Sequence, residues 1–460
     1  MLKGPGREIS RASCKEWPPF LYHLRMAAPP SSSLVLSFED ARRIVGEHAS
    51  RLSAGKHQNV ALLHSAGRVL AEPVVADRDI PPFPRSTRDG YAVRAADLAK
   101  LPAQLTVAGE IKAGPQHGQP PRTLNRGEAF SIMTGAPVPQ GADAIVMIEY
   151  TSLQNDRVEI RKGVEPGENI VIQGAEAPRG RLLLSPGTRL NESSIALAAS
   201  VGKSRLQVFC RPCVAVLATG DEIVEVDANL DPTQIRNSNS YSLAAQIQQN
   251  GGEAVLLPIA PDEPHQLRQF IERGLQSDLL LMTGGVSMGR YDLVEQVLGE
   301  MRAEFFFTGA KIQPGRPVVF GRVPCGAGAP STSSGQALAR EGASPQMSNK
   351  YFFGLPGNPV STMVTFELFA RPVIEALAGI SPRPLAFLHA RLKTEIRVKT
   401  GLKRFLPAIL SGQFENSQVE LVPWQGSGDI AARSRSNCLI VIPSDREHIS
   451  AGEWIAVMLR

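Results

Sequence analysis

The amino-acid sequence predicts a multidomain α/β protein whose central part is an α/β/α domain with a mainly parallel sheet. From residue 212, short apolar segments alternate with segments of helical spacing, which is typical of parallel strands joined by crossover helices. Between residues 76 and 173 the sequence instead holds many short β-type runs separated by Gly and Pro, which indicates a β-rich domain. A chain of 460 residues is also too long for one hydrophobic core, so several domains are expected.

The remaining boundaries follow from changes in composition. The sequence SFEDARRIVGEHASRL has helical spacing, and Ser37 is a suitable cap for this helix. Residues 325–350 are rich in Gly, Ala, Ser and Pro, which predicts a flexible insertion in the α/β/α domain. The expected division is a disordered tail over 1–35, a mixed, partly helical domain over 36–75 and 174–211, a β-rich domain over 76–173, the α/β/α domain over 212–380 and a β-rich C-terminal domain over 381–460, with the alternative that the helix in 36–56 packs on the α/β/α domain.

The composition excludes several function classes. The net charge of +5 is small for this length, and the sequence has no basic helix, zinc-finger spacing or stacking-aromatic motif, so we expect no nucleic-acid partner. No apolar run reaches the roughly 18 residues that a membrane helix needs, so no membrane association is expected. The small, odd number of cysteines, 5, favours a reducing compartment, and we expect a cytoplasmic protein.

The pair Cys210 and Cys213 forms a CxxC motif, which occurs in redox and zinc sites. No second pair accompanies it, and Cys213 opens the apolar run CVAVLA. The favoured interpretation is therefore that these cysteines are small packing residues.

Three predicted strands end in glycine-containing loops, with the sequences LATGDE, TGGVSMGRYD and GLPGNPVS. In an open parallel sheet, ligands bind at the carboxyl ends of the strands. Glycine lets backbone N–H groups approach a bound anion, and the N-terminus of a following helix adds a partial positive charge. Together with nearby serine hydroxyl groups, these loops predict a site for a phosphorylated small molecule that comprises Thr219, Gly220, Ser238, Gly284, Gly285, Ser287, Pro356, Gly357, Asn358 and Ser361.

Charged residues accompany the glycine loops. Carboxylates at strand ends can hold Mg²⁺ through one or two ligands together with substrate phosphate oxygens. Helix capping is the alternative role for two of them, Asp262 and Asp292. Two cations beside a Pro-Gly turn in KIQPGRPVVFG suit an anionic ligand. The charged residues expected at the site are Asp221, Glu222, Asp262, Asp292, Lys311 and Arg316.

Two further motifs lie in the β-rich region. PPFPRSTRDGYAV carries Asp89 at a glycine turn, and IMTGAPVPQGADAIVMIE carries Thr134 at another. Neither motif follows a parallel strand. They would contribute to the same site only if this domain folds over the ligand of the sheet.

These motifs occur in a fixed order, as PPFxxSxxDGYAV, MTGAPVPxGADAIVMIE, ATGDE, TGGVSxGxYD, PGRP and GLPGNPVS. In that order they resemble the MoeA type of molybdopterin molybdenumtransferase, a family that also includes the E domain of gephyrin. The similarity extends from about Leu36 to the C-terminus. Six ordered motifs are far more specific than any one of them.

The resemblance implies an elongated mixed domain, a β-rich domain, a molybdopterin-binding α/β/α domain and a C-terminal β-barrel. It also implies a homodimer with its active site between the protomers. Members of this family take adenylylated molybdopterin and molybdate, hydrolyse the adenylyl phosphoanhydride and insert molybdenum at the dithiolene, using Mg²⁺. The upstream adenylyltransferase and apo-molybdoenzymes would be protein partners.

The resemblance also implies roles for individual residues. Asp89 and Glu222 would bind Mg²⁺ or orient the attacking water, and Thr134 would donate a hydrogen bond to molybdate or phosphate. Lys311 and Arg316 would offset the negative charge of the substrates. TGGVSMGRYD would be the cradle of the pterin phosphate, and Asp262, Asp292, Lys311 and Pro356 match further motif positions.

The chain departs from the family pattern beside Asp89. The family commonly has FDNSAMDGYAV where this chain has FPRSTRDGYAV, which adds Arg85 and Arg88. The added arginines could strengthen oxyanion binding, or they could mark a changed substrate or metal choice, with tungstate as one option.

Two alternative functions differ from molybdenum insertion. An adenylyltransferase that activates molybdopterin with ATP would share only the α/β/α domain, so the DGYAV and MTGAP motifs argue against it. A non-catalytic molybdopterin-binding scaffold, like gephyrin in its clustering role, is the other alternative. The chain lacks a second fused molybdopterin domain and has all the catalytic-type carboxylates, which favours an enzyme.

Overall fold

The computed structural model describes residues 34–114, 123–285, 293–324, 349–381 and 383–459. The predicted N-terminal tail lies outside these residues except for its last two positions. The predicted insertion over 325–350 also lies outside them, apart from residues 349 and 350.

A six-stranded sheet forms the centre of the 212–380 region. Four neighbouring strands pair in parallel, and each of the two strands at one edge pairs antiparallel with its neighbour. This confirms the prediction of a mainly parallel sheet. In spatial order the strands are Glu253–Leu256, Cys213–Ala218, Leu279–Thr283, Lys350–Leu355, Val319–Val323 and Glu304–Phe307.

The sheet is covered on both faces, which explains why its central strands are almost entirely apolar. Successive side chains of a strand point to opposite faces. Thus Leu279 and Leu281 join one buried cluster with helices near residues 243 and 364, while Leu280 and Met282 join a second cluster on the other face. The α-helices of the described residues are α1 (Phe38–Ala49), α2 (Glu192–Ser200), α3 (Ser238–Gln249), α4 (Pro264–Gly274), α5 (Leu293–Glu300), α6 (Pro359–Thr365), α7 (Arg371–Leu377) and α8 (Ile430–Arg435).

Helix α1 packs on the α/β/α domain. The Ser37 hydroxyl accepts a hydrogen bond from the backbone N–H of Asp40 at 3.0 Å, so Ser37 is the cap that the sequence predicted. Phe38 and Val45 of α1 are buried in the cluster that contains α3, α6 and α7. The short strand Val35–Leu36 also pairs with Gly309–Ala310.

The β-rich region forms its own six-stranded sheet with two buried clusters. Two antiparallel pairs, His57–Ala61 with Arg205–Phe209 and Val74–Val75 with Leu182–Leu184, bring together chain segments before and after this sheet. In spatial order the six strands are Ala144–Met147, Gly90–Val93, Glu128–Ile132, Ala103–Ile111, Arg157–Ile160 and Thr151–Gln154, and Arg85–Ser86 pairs separately with Ile170–Val171.

The C-terminal strands close into a five-stranded barrel, because Lys403–Ser411 pairs with strands at both ends of the row. The pair Ile223–Val224 with Ile235–Arg236 and the pair Ile396–Arg397 with His448–Ile449 lie outside the larger sheets. In the described residues, no helix has the length and apolar character to cross a membrane. The barrel strands are Lys403–Ser411, Gln418–Leu421, Phe387–Leu392, Trp454–Leu459 and Cys438–Ile442. The short strand Ile312–Gln313 pairs in parallel with the start of Lys403–Ser411.

Candidate functional site

A cavity of about 770 Å³ opens at the carboxyl ends of the parallel strands, where ligands bind in open α/β sheets. Its walls come from the loops after residues 218, 283 and 355, from segment 312–317 and from the C-terminal domain. Most of the residues predicted for the site line this cavity, namely Thr219, Gly220, Glu222, Ser238, Asp262, Gly284, Gly285, Arg316, Pro356, Gly357, Asn358 and Ser361.

Gly284 allows two of the loops to pass each other. Its φ of 91° is in the left-handed region, and a Cβ there would lie 2.2 Å from the carbonyl oxygen of Thr219. The Thr219 N–H in turn donates to the carbonyl of Thr283 at 3.0 Å. Close contact between the loops therefore requires glycine at this position, in addition to any requirement from a ligand.

Asn239 holds two of the loops together, and sequence reasoning missed it. Its side-chain amide donates to Thr283 Oγ1 at 2.9 Å and to the carbonyl of Gly357 at 2.7 Å. Thr283 Oγ1 donates in turn to the carbonyl of Pro356 at 3.0 Å. The only sequence signal was an asparagine directly after Ser238, in the first turn of a helix that Asn237 caps.

Replacing Asn239 with Leu should weaken substrate binding about tenfold and destabilise the fold by ~1–2 kcal/mol, because two hydrogen bonds between the loops are lost. The dissociation constant of the bound ligand measures the first effect, and the midpoint of chemical denaturation measures the second. Asn59→Leu is the matched control, because Asn59 bonds Arg205 and does not line the cavity. Equal substrate affinity in the two variants would contradict a positioning role for Asn239.

The carboxylates at the cavity differ in their hydrogen bonding. Glu222 is exposed, and its side chain makes no ion pair or hydrogen bond within the described residues. Asp262 accepts from Thr219 Oγ1 at 2.9 Å, and its own N–H donates to Asp221 Oδ1 at 3.1 Å. Asp221 supports the loop without lining the cavity. Glu222 is thus the carboxylate that is free to interact with a ligand.

The capping alternative for Asp262 is wrong. The cap of helix α4 is Glu263, whose carboxylate accepts from the N–H groups of His265 at 3.0 Å and Gln266 at 2.7 Å. Asp262 therefore lines the cavity, and the next residue, Glu263, caps the helix.

Among the residues that the structure describes, the cavity contains few potential metal ligands. Within the described ranges, no group of three or more His, Cys, Asp or Glu side chains could hold a metal ion. Mg²⁺ needs only one or two carboxylates when substrate phosphates complete its coordination. Glu222 and Asp262 both line the cavity and are the carboxylates there that could serve as such ligands.

The two cysteines of the CxxC motif are half-buried. Cys210 and Cys213 are free thiols. Burial, together with the nearby carboxylates of Asp278 and Glu253, raises the pKa of the Cys213 thiol. A raised pKa disfavours the thiolate that redox chemistry requires, in agreement with a packing role.

The structure brings Asp89 and Thr134 together, although away from the cavity wall. The backbone N–H and the hydroxyl of Thr134 donate to Asp89 Oδ1 at 2.7 and 3.0 Å. These two hydrogen bonds hold the pKa of Asp89 below its usual value. Neither residue lines the cavity of the same chain, and the exposed Lys311 does not line it either. Ser287 and Asp292 lie outside the described residues.

The two arginines beside Asp89 have different environments. Arg85 Nη2 forms an ion pair with Glu176 at 2.8 Å. Arg88 is exposed and forms no ion pair within the part of the chain that the structure describes. The ion pair offsets the charge of Arg85, so Arg88 is the more available cation near Asp89 and Thr134.

The C-terminal domain supplies one wall of the cavity, which sequence reasoning also missed. Asn358 Nδ2 donates to Ser427 Oγ at 2.8 Å, and the Val360 N–H donates to the Ser427 carbonyl at 3.0 Å. Asn358 directly precedes α6, but its side chain bonds the C-terminal domain and makes no capping hydrogen bond to the helix. The C-terminal residues in the wall are Leu402, Trp424, Gly426 and Ser427.

Three family models match successive parts of the chain. The MoeA N-terminal region (domain I and II) matches residues 36–202, a probable molybdopterin binding domain matches residues 215–376, and the MoeA C-terminal region (domain IV) matches residues 389–459. The cavity is formed mainly by residues within the second match, with one wall from the third.

Known proteins resemble the chain over nearly its whole length. A molybdopterin molybdenumtransferase of Nostoc sp. is 33% identical, with 92% of this chain and 93% of that protein covered. A molybdopterin molybdenumtransferase of Staphylococcus epidermidis is 30% identical, with coverage of 92% and 94%. The crystal structure of a molybdopterin biosynthesis MoeA protein from Pyrococcus horikoshii superimposes with a TM-score of 0.72 at 26% identity, covering 93% of this chain and 100% of that one.

Proposed function

The chain belongs to the MoeA family of molybdopterin molybdenumtransferases, and from this membership we propose that it inserts molybdate into adenylylated molybdopterin and releases AMP. It is a transferase of molybdenum cofactor biosynthesis that inserts molybdenum into molybdopterin. The observation that best supports the fuller reaction is the cavity itself. Glycine loops, a cation and an unpaired carboxylate meet there at the carboxyl ends of parallel strands.

The glycine loops are suited to phosphate. The Gly220 N–H donates to the carbonyl of Ala260 at 3.3 Å, so the backbone N–H groups near Gly284 and Gly357 are the ones that could approach phosphate oxygens. Arg316 is exposed at the cavity and forms no ion pair within the described residues, so its charge is available to an anion. We assign these groups to the phosphates of the substrate.

Glu222 and Asp262 would hold Mg²⁺, which would offset phosphate charge and polarise the phosphoryl oxygen when bound. Glu222 also has the freedom to orient the attacking water, because no other described residue engages its carboxylate. Asp262 is already fixed by Thr219 Oγ1 and keeps its second carboxylate oxygen for a ligand.

Asp89 and Thr134 would act from a second copy of the chain. They lie together but do not line the cavity of their own chain. A homodimer whose active site lies between protomers would bring them to the Glu222 of the other copy. Asp89 would then complete the Mg²⁺ site, and Thr134 would hold Asp89 in place, because its single hydroxyl proton is already donated to Asp89 Oδ1. We propose further that the enzyme is cytoplasmic. It would receive its substrate from the upstream adenylyltransferase and pass its product to apo-molybdoenzymes.

Thr134→Val should move the acid limb of the pH–activity profile to higher pH. The variant removes the hydroxyl donor to Asp89 and keeps the backbone donor, so the lowered pKa of Asp89 rises toward its ordinary value. Asp89 then becomes protonated at a higher pH, and activity is lost earlier on acidification. The pH dependence of kcat/KM measures the shift.

Thr87→Val is the matched control, because the Thr87 hydroxyl donates to the carbonyl of Asn169 and not to Asp89. We expect its acid limb to coincide with that of the wild type. An unshifted acid limb in Thr134→Val would show that Asp89 does not control this part of the profile.

The proposed reaction is tested by incubating the protein with adenylylated molybdopterin, Mg²⁺ and molybdate and measuring AMP. Molybdate-dependent release of AMP is expected. Release with tungstate only would indicate an oxyanion site changed by Arg88. Consumption of ATP with molybdopterin would indicate the adenylyltransferase alternative, and ligand binding without turnover would indicate a scaffold.

A further inference from the structure

Trp424 is the one aromatic side chain, among the described residues, that lines the cavity. The rest of the lining consists of small, aliphatic, proline and polar residues. The indole is half-buried and packs against hydrophobic residues of both the α/β/α domain and the C-terminal barrel. An aromatic side chain at a ligand cavity, supported from behind by two cores, is well placed to contact a flat ligand.

The loop that carries Trp424 is fixed on both sides. Asp429 accepts from the N–H of Gln425 at 3.0 Å and from the N–H of Ala432 at 2.9 Å, which ties the loop to α8. Ser427 ties it to Asn358 and Val360 at the start of α6, next to the third glycine loop. The position of the indole relative to the phosphate loops is therefore set before a ligand binds, so little ordering cost remains.

We propose that the indole of Trp424 is a stacking surface for a planar heteroaromatic ring of the substrate. The inference rests on the proposed function, because adenylylated molybdopterin carries two such rings, the pterin and the adenine. The phosphates between them would occupy the glycine loops while one ring lies against Trp424. Stacking of this kind tolerates different rings because each presents a π face.

The test compares Trp424→Leu, which removes the ring, with Trp424→Phe, which keeps an aromatic face. Dissociation constants for two probes, AMP and a pterin with a phosphorylated side chain, are measured by calorimetry. We expect Trp424→Leu to weaken one probe on the order of tenfold and Trp424→Phe to weaken it less than about threefold. The probe that is weakened identifies the ring. KM for the full substrate should rise in parallel, with a smaller change in kcat.

Trp454→Leu is the matched control. Trp454 is 50% exposed and does not line the cavity. Its ring centroid lies 5.3 Å from the guanidinium carbon of Arg391. The Trp454→Leu variant should bind both probes like the wild type. The inference is overturned if Trp424→Leu binds both probes within about twofold of the wild type, or if Trp424→Phe loses as much affinity as Trp424→Leu.

A second measurement does not depend on the folding of the Leu variant. The chain has 3 tryptophans, so the double variant Trp17→Phe, Trp454→Phe leaves Trp424 as the only source of tryptophan fluorescence. Saturation with the recognised probe should quench this emission, and an unchanged spectrum with both probes overturns the inference. Quenching without molybdate-dependent AMP release would uphold the stacking surface and reject the proposed reaction, so the two failures are distinguishable.

Discussion

Replacing Glu222 with Gln is expected to lower molybdate-dependent AMP release by a factor on the order of 10²–10⁴, the range for loss of a positioned acid–base or water-orienting group. The change removes the charge and keeps the shape. The Glu222 side chain makes no ion pair or hydrogen bond within the described residues, so the fold should be unaffected. The initial rate of AMP release and the midpoint of denaturation measure the two effects separately.

Glu225→Gln is the matched control for Glu222. Glu225 is an exposed carboxylate only three positions away, and it does not line the cavity. We expect its rate to lie within about twofold of the wild type. A Glu222→Gln enzyme that is equally active would remove Glu222 from the proposed chemistry and leave Asp262 as the carboxylate to test.

Gly284→Ala is expected to cause the largest loss of both stability and binding among single methyl additions in the cavity loops. The new Cβ would lie 2.2 Å from the Thr219 carbonyl oxygen, at a residue with a φ of 91°. Neither loop can easily yield, because Thr219 also donates to the Thr283 carbonyl. Strain and displacement together should cost about 3 kcal/mol and reduce substrate binding to an undetectable level. Chemical denaturation and ligand titration measure these losses.

Gly46→Ala is the control for an added methyl group. Gly46 lies inside α1, and a Cβ there would have no heavy atom within 4 Å. This variant should be more stable than the wild type by roughly 0.5–1 kcal/mol, because alanine favours the helix. If Gly284→Ala unfolds at the same denaturant concentration as the wild type, the loop contact is less rigid than the distances indicate.

Much of the α/β/α domain could be predicted locally. Strands that are covered on both faces must be nearly all apolar, so Cys213–Ala218 and Leu279–Thr283 were recognisable as runs. Ser37 was recognisable as a cap because its hydrogen bond spans only three residues. The glycine loops marked the strand ends, and most of the residues expected there do line the cavity.

Other parts of the site could not be predicted from local patterns. The choice between Asp262 and Glu263 as the cap of α4 depended on how the chain enters the helix. The link from Asn239 to Gly357 spans 118 positions, and that from Asn358 to Ser427 spans 69. The contact of Trp424 with the cavity depends on where the barrel packs.

The sequence by itself determined the family, the order of strands and helices and the glycine loops of the ligand site, because these depend on short runs of residues and on motifs in a fixed order. The tertiary structure alone decided which carboxylate is unpaired, which amide joins the loops and which aromatic ring lines the cavity. Those properties depend on contacts between distant segments, and such contacts exist only once the sheet and the barrel have packed together.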